Sequence, residues 1–244
     1  MNRHDNPTRL FDIVAERASR GSRRPCFRYG DVRLTAEEYL RQAERLSLWL
    51  VGRGLRRGEA VALISDNRPE WNIIDIGVMQ AGGVLLPLCK GLSAEEYVEC
   101  LTQAGVRTLF VEDRELLSRF RLLLPQVESV EQVVLLSGDA EVLTLNALLA
   151  EEMCAEEEPT VERRRNMVTT DDVCTLVYTG GGTYSRLTHR QLLCDIEAMA
   201  EVEVAGRHAA SGNKALCTRY GRLQNYACQM VGRTVEYPVR EAVA

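Results

Sequence analysis

A glycine-rich segment follows an apolar run in the second half of this 244-residue chain. Thr179, Gly180, Gly181, Gly182 and Thr183 come directly after the run at 173–178. Glycines let backbone N–H groups approach phosphate oxygens without side-chain obstruction, and the threonine hydroxyls add hydrogen-bond donors. The segment is not a Walker A loop, because G-x-x-x-x-G-K-[ST] is absent. On these residues alone, a phosphate-binding loop and a plain turn are equally good interpretations.

Other side chains with chemical potential have simpler explanations. We expect His189 to be a helix-start residue rather than a base, and the adjacent Asp171 and Asp172 to be solvated acids before a strand. The eight cysteines contain no C-x-x-C pair and mostly lie in apolar runs, so we expect reduced, packed thiols. The sequence therefore assigns no catalytic residue and predicts no metal site.

The elements that position the glycine-rich segment alternate between strands and helices. Strands are predicted at 60–65, 84–88, 108–111 and 132–136, with helices at 69–81, 94–104 and 114–124 between them. Capping boxes beginning at Thr35 and Ser93 start two helices. This β–α order predicts the fold class α/β, with a mostly parallel sheet and helices on both faces.

The elements around and after the glycine-rich segment are less regular. A helix predicted from about Thr188 to Val202 makes that segment a strand–loop–helix connection. At most a short helix is predicted at 223–231, and residues 234–239 are predicted to be a strand with an unpaired edge. A hairpin is predicted earlier in the chain, at 26–34.

The pattern divides the chain into three parts. Residues 1–150 are predicted to form an N-terminal α/β subdomain, and residues 151–168 an exposed acidic linker. Residues 169–244 are predicted to be an incomplete second α/β segment that carries the glycine-rich turn.

Composition excludes several classes of protein. Hydrophobic residues make up 45% of the chain and charged residues 27%, as in globular proteins, and the net charge of −5 argues against a nucleic-acid partner. No stretch reaches the roughly 20 apolar residues of a membrane span. We therefore expect a cytoplasmic location, at most peripheral to a membrane.

Several motifs together resemble one enzyme family. Residues 178–189 resemble its phosphate loop, Y-T-S-G-T-T-G-x-P-K-G-V-x-L-T-H, and residues 66–71 resemble its N-R-P-E-W helix start. Residues 81–84, 87–88, 92–96 and 169–173 match neighbouring segments in the same order. The chain thus resembles the N-terminal portion of the AMP-forming acyl-CoA synthetases, of the long-chain fatty-acid–CoA ligase type.

This resemblance implies a two-step reaction. A fatty-acid carboxylate attacks the α-phosphate of Mg·ATP to give an acyl-adenylate and pyrophosphate, and the thiol of coenzyme A (CoA) then displaces AMP. Fatty acid, ATP, CoA and Mg²⁺ are the implied substrates and cofactor. The resemblance also implies that Thr179 to Thr183 contact the nucleotide phosphates.

The departures from the family pattern predict that the lone chain is inactive. The loop is shorter and lacks the lysine–glycine pair, and glycines replace a serine and a threonine at Gly180 and Gly182. Arg186 could supply a charge, but a guanidinium does not substitute freely for an ammonium. The segment 216–222 lacks the histidine of the family's L-P-L-x-H motif, and the family's later motifs do not occur in these 244 residues.

Three interpretations stay open at this point. The chain is a fragment of an active ligase whose missing half comes from a protein partner, or a non-catalytic pseudoenzyme that retains a nucleotide or acyl site. Alternatively, it is an interaction module that docks onto a full-length synthetase through the edge at 234–239.

Overall fold

The computed structural model describes residues 7–138, 142–150, 158–205 and 210–239. The strands are β1 (Phe27–Tyr29), β2 (Val32–Leu34), β3 (Ala60–Ile64), β4 (Val84–Leu88), β5 (Thr108–Val111), β6 (Gln132–Leu135), β7 (Val173–Gly180), β8 (Thr183–Thr188), β9 (Ala210–Ser211) and β10 (Val235–Tyr237). The helices are α1 (Leu10–Ser19), α2 (Ala36–Gly52), α3 (Pro69–Gln80), α4 (Ala94–Gln103), α5 (Arg114–Phe120), α6 (Leu145–Ala150), α7 (Glu158–Met167), α8 (His189–Ala205) and α9 (Arg219–Met230). A 3₁₀-helix spans Leu124–Gln126.

The larger sheet has six strands in the order β6-β5-β3-β4-β7-β8. The first five of these are mutually parallel, and β8 returns antiparallel to β7. The predicted mostly parallel sheet is therefore confirmed. Sequence reasoning missed β8, because it took the residues before the helix at 189 as a loop.

The larger sheet is covered by helices on both faces. In β3, Ala60, Ala62 and Ile64 belong to one apolar cluster with residues of α4 and α5, whereas Val61 and Leu63 belong to another with residues of α1, α2, α3, α8 and α9. Successive side chains of a strand point to opposite faces. A wholly apolar strand therefore needs a helical layer on each side, as the sequence predicted.

A second sheet has the strand order β2-β1-β10-β9. Phe27 and Val235 of this sheet share an apolar cluster with Val61 and Leu85 of the larger one, through the helices between them. The predicted hairpin of β1 and β2 is confirmed. However, β10 lies between β1 and β9, parallel to both, so the predicted unpaired edge at 234–239 is wrong. Its partners come from distant parts of the chain, which a local pattern does not identify.

Both predicted capping boxes are present. The side chain of Thr35 accepts a hydrogen bond from the backbone N–H of Glu38, and that of Ser93 accepts one from Glu96. Pro69 occupies the first turn of α3, where its missing N–H is not required. These local signals explain why α2, α3 and α4 begin where the sequence predicted.

A buried polar network joins α3 to α9. Arg222 Nε donates to Asp75 Oδ2 over 2.9 Å, its Nη2 contacts Asp75 Oδ1, and the hydroxyl of Tyr226 donates to Oδ2 over 2.7 Å. Nearby, Asn225 Nδ2 donates to Asn72 Oδ1 over 2.6 Å. Burial raises the pKa of Asp75, and the positive charge of Arg222 opposes that rise. The pairing explains how a carboxylate is tolerated in a helix that is almost wholly buried.

Two cysteines depart from the prediction of reduced, packed thiols. Cys89, after β4, and Cys217, before α9, form a disulfide that joins segments 128 residues apart. Cys26, Cys100 and Cys174 are buried thiols as expected. The sequence gives no sign of this pair, because neither cysteine belongs to a recognisable spacing motif.

The predicted division of the chain stays a prediction. Residues 151–157 of the proposed linker lie outside the described residues, and the following residues form α7. Arg165 of α7 pairs with Glu44 of α2 over 2.8 Å. Each sheet contains strands from before and after the linker, so the two predicted parts share both sheets. None of the described helices has the length and apolarity needed to cross a membrane.

Candidate functional site

The glycine-rich segment forms the tight turn of the β7–β8 hairpin. Gly180 pairs with Thr183, so only Gly181 and Gly182 lie between the paired residues. Their φ angles are +55° and +69°, and that of Gly180 is +100°. Positive φ at both central positions is typical of a type I′ hairpin turn. The hairpin geometry alone is therefore sufficient to explain the run of glycines.

The two threonine hydroxyls of this turn are already hydrogen-bonded within it. Thr179 Oγ1 donates to the carbonyl of Thr183 over 3.1 Å, and Thr183 Oγ1 donates to the carbonyl of Gly180 over 2.7 Å. The two hydroxyl oxygens are themselves 2.7 Å apart. A phosphate would have to displace these internal hydrogen bonds to gain the hydroxyls as donors.

One side of the turn lies against α4. A Cβ added to Gly182 would lie 2.3 Å from Gln103 Nε2 and 2.5 Å from Glu99 Oε1. The hydroxyl of Tyr178 donates to the Glu96 carboxylate over 3.3 Å. Carboxylates beside the turn disfavour an anionic ligand, because like charges repel.

The other side of the turn is open. A Cβ on Gly180 or Gly181 would meet nothing within 4 Å. A ligand could therefore reach the backbone at these two glycines, although their positive φ angles bar ordinary side chains.

Arg186 lies too far along β8 to serve the turn. It pairs with Leu176 in the hairpin register, four residues after Gly182. Four residues of extended strand span about 13 Å. Its side chain lines a cavity near the amino ends of β3 and β4 instead. Arg186, which the sequence suggested as a substitute for the family's lysine, therefore does not place its charge at the turn.

The turn as arranged does not fit a triphosphate well. Its hydroxyls are engaged, a carboxylate adjoins Gly182, and the arginine of its own hairpin points elsewhere. Among the described residues there is no group of three or more His, Cys, Asp or Glu side chains that could hold a metal ion. Carboxylate and water oxygens are the usual ligands of Mg²⁺, together with substrate phosphates. A Mg²⁺ ion here would therefore depend on the nucleotide for most of its contacts.

His189 has the structural role that the sequence predicted. It begins α8 and is buried, and its Nδ1 accepts a hydrogen bond from the backbone N–H of Leu10 over 3.2 Å. Burial, together with the smaller effect of the positive charge of Arg222, lowers the pKa of His189 to about 4. The imidazole is therefore neutral near pH 7 and joins α8 to α1.

Asp171 and Asp172 form two separate ion pairs rather than a paired carboxylate site. Asp171 pairs with Arg190 over 2.7 Å, and Asp172 pairs with Arg57 over 2.6 Å. Burial raises the pKa of Asp172, but the Thr169 backbone N–H and Arg57 outweigh it, so the pKa falls below its usual range. Both aspartates are ionised at neutral pH and are unsuited to proton transfer.

Sequence reasoning missed a polar cluster at the carboxyl ends of three adjacent strands. Lys90 follows β4, and its Nζ lies 3.0 Å from Asp66 Oδ2, after β3, and also contacts Glu112 Oε2, after β5. A cavity of about 390 Å³ is lined in part by Asp66, Asn67 and Glu112. The signal was available in the sequence, since Asp66, Lys90 and Glu112 are charged groups within two residues of the end of an apolar run.

This cavity lies where the chain changes direction across the larger sheet. The connection after β3 leads to α3 on one face, whereas those after β4 and β5 lead to α4 and α5 on the other. Ligands of open α/β sheets usually bind at the carboxyl ends of the strands at such a point.

Asn67 fixes the wall of this cavity. Its Nδ2 donates to the carbonyls of Gly212 and Lys214 over 2.6 and 2.7 Å, and its Oδ1 accepts from the N–H of Leu216 over 2.8 Å. The disulfide at Cys217 holds the same segment to the end of β4. The start of α3 and the segment before α9 therefore form one wall.

Comparison with known proteins agrees with this architecture. The family model described as AMP-binding enzyme matches residues 14–218. The long-chain-fatty-acid–CoA ligase ACSBG2 of Mus musculus is 24% identical over 93% of the chain, and the medium/long-chain-fatty-acid–CoA ligase FadD8 of Mycobacterium tuberculosis is 30% identical over 73%. The chain spans 36% and 31% of the lengths of these two relatives.

Solved structures share the fold. A candidate long-chain-fatty-acid CoA ligase from Rhodopseudomonas palustris CGA009 has a TM-score of 0.80 at 20% identity, over 99% of this chain and 59% of that one. Coronafacic acid ligase from Pectobacterium brasiliense has a TM-score of 0.80 at 14% identity, over 95% of this chain and 46% of that one. With a family model that matches most of its length, this chain belongs to the AMP-binding enzyme family.

Proposed function

We propose that this chain is the N-terminal portion of a long-chain fatty-acid–CoA ligase and is inactive by itself. The observation that carries the proposal is the family match over residues 14–218, combined with relatives named as long-chain-fatty-acid–CoA ligases. In the complete reaction, ATP supplies the adenylyl group and the thiol of CoA accepts the acyl group. Fatty acid, ATP, CoA and Mg²⁺ are the substrates and cofactor of this proposal.

The parts of this chain have distinct roles in the proposal. The carboxyl-edge cavity beside Asp66 and Asn67 contributes one wall of the substrate site. The turn from Thr179 to Thr183 contributes backbone contacts to the nucleotide phosphates. Since the turn hydroxyls are hydrogen-bonded internally, the turn alone stabilises phosphate charge poorly, and residues outside this chain complete the site.

Fatty-acid-dependent exchange between ATP and pyrophosphate tests the inactivity of the lone chain. The purified chain is incubated with Mg²⁺, ATP, palmitate and labelled pyrophosphate, with a blank that lacks palmitate and a complete ligase as the positive control. We expect no exchange above the blank from chain shown by circular dichroism to be folded. Palmitate-dependent exchange would overturn the proposal, because it would require a functional adenylation site.

The second candidate is a non-catalytic nucleotide-binding pseudoenzyme. The observation in its favour is the open backbone at Gly180 and Gly181. Calorimetric titration with Mg·ATP and with Mg²⁺ alone tests it, with the variant Gly181→Val as the comparison. Binding of Mg·ATP that this variant abolishes would support a nucleotide site at the turn, whereas the absence of heat at millimolar Mg·ATP would rule that site out.

Docking onto a full-length synthetase through residues 234–239 is not proposed. That prediction required an unpaired strand, and β10 is hydrogen-bonded on both sides.

A further inference from the structure

A cavity of about 360 Å³ opens at one edge of the larger sheet. The Asp66–Lys90–Glu112 cluster lies at the opposite edge, where the strands end. The cavity lies near the amino ends of the parallel strands, because the first residues of β3, β4 and β7 (Ala60, Val84 and Val173) line it. Its volume is within the range of small-molecule sites, about 300–1,000 Å³. The proposed ligase reaction makes no use of it.

The lining combines an apolar floor with a basic rim. The floor consists of aliphatic groups of the sheet, including Ala60, Val84 and Leu176. Arg57 and Arg186 contribute guanidinium groups, and Gln103 and Tyr184 contribute further polar groups. A polar end beside an apolar surface suits a ligand with a charged head and an aliphatic tail, rather than a bare anion.

The two arginines differ in how they are paired. Arg57 Nη2 donates to both carboxylate oxygens of Asp172, over 2.7 and 2.6 Å. Arg186 is exposed, and its guanidinium has no acidic partner among the described residues. Two positive charges and the one negative charge of Asp172 leave this rim with a net charge of +1. The unpaired guanidinium can form a bidentate, charge-assisted hydrogen bond with a carboxylate.

We propose that this cavity binds a single-chain amphiphile with a carboxylate head, which Arg186 binds while the aliphatic chain lies on the apolar floor. Arg57 adds positive potential but is held mainly by Asp172. The site is separate from the carboxyl-edge cavity. Of its lining residues, Gln103, whose amide lies beside Gly182, and Tyr184, which follows Thr183, lie nearest to the β7–β8 turn. The proposal therefore stands independently of whether the turn binds a nucleotide.

Calorimetric titration of the intact chain with dodecanoate below its micellar concentration tests the proposal. We expect saturable one-to-one binding. Dodecanol, which lacks the charge, should bind at least about tenfold more weakly, since losing one charge-assisted hydrogen bond costs about that factor. Acetate, which lacks the tail, should also bind at least about tenfold more weakly, since it buries far less apolar surface. Equal binding of dodecanol and dodecanoate would overturn the role of the carboxylate.

Substitutions then locate the site. Arg186→Gln should weaken dodecanoate binding by about tenfold or more. Arg190→Gln should leave it unchanged, because Arg190 lies on the next element, pairs with Asp171 and does not line the cavity. A second variant, Ala104→Trp, fills the cavity with an indole and should abolish binding. Circular dichroism confirms that each variant is folded.

Two results would overturn the location. One is wild-type affinity in both Arg186→Gln and Ala104→Trp. The other is a hydrogen-exchange footprint of dodecanoate that excludes residues 56–60 and 183–188. Gly181→Val should bind dodecanoate normally, so failure of the nucleotide hypothesis and failure of this proposal are distinguishable.

Discussion

At the scale of single residues, His189 links folding to pH. Its pKa is lowered to about 4 by burial, whereas an unfolded histidine titrates near 6.5. Between these values the unfolded chain binds a proton that the folded chain excludes. Stability therefore falls as the pH decreases from about 6.5 to about 4, by about 3 kcal/mol in total for this group.

The expected outcome is a pH-dependent stability that one substitution removes. Urea unfolding of the wild-type chain should give a free energy of unfolding that decreases between pH 6.5 and pH 4. His189→Asn keeps an acceptor near the Leu10 N–H but does not titrate, so its profile should be flatter over this range. Carboxylates with lowered pKa values, such as Asp172, lower the free energy of unfolding only below about pH 4. Identical slopes for the two proteins would contradict the assignment.

The ion pair of Asp75 and Arg222 is a second feature at the residue scale. Its side chains are 0% and 3% exposed, respectively. Asp75→Asn leaves a buried guanidinium without its counter-charge and should lower the free energy of unfolding by about 3–5 kcal/mol. The double variant Asp75→Leu, Arg222→Met should recover much of this loss, because neither charge then remains buried. Asp171→Asn, at an exposed ion pair, is the matched control and should have no measurable effect. A double variant as unstable as the single one would disprove the pairing argument.

At the scale of elements, the β7–β8 turn depends on glycine for its backbone conformation. Gly181→Ala should destabilise the chain by about 1–2 kcal/mol, because a Cβ is strained at a φ of +55° even in open space. Gly91→Ala is the control, since Gly91 also has open space around it but no positive φ. Thermal unfolding measures both. Equal effects would show that the turn does not impose the left-handed conformation.

At the scale of the whole molecule, both sheets join residues from either side of the predicted linker. A fragment of residues 1–150 would lose β7 and β8 from one sheet and β9 and β10 from the other, and also α7, α8 and α9. We expect this fragment to lack the cooperative thermal transition of the full chain, measured by near-ultraviolet circular dichroism. A cooperative transition in the fragment would instead support an independent N-terminal subdomain.

The sequence by itself determined the elements that depend on neighbouring residues. The capping boxes at Thr35 and Ser93, the proline at the start of α3 and the apolar runs of β3 to β6 act within a few residues. Their signals are therefore readable without knowledge of the fold. The same runs predicted a parallel sheet with two helical layers, and motif order gave the family resemblance.

Only the tertiary structure decided which distant residues meet. The interior position of β10, the disulfide of Cys89 with Cys217 and the burial of Asp75 with Arg222 all join segments far apart in the chain. The glycine-rich segment is the sharpest case. Its residues allow a phosphate loop or a plain turn. Pairing of β8 with β7 produced a type I′ turn whose threonine hydroxyls are hydrogen-bonded internally. The same pairing places Arg186 in the lining of another cavity. Strand register is a long-range property, because it depends on which partner is available and not on local preference.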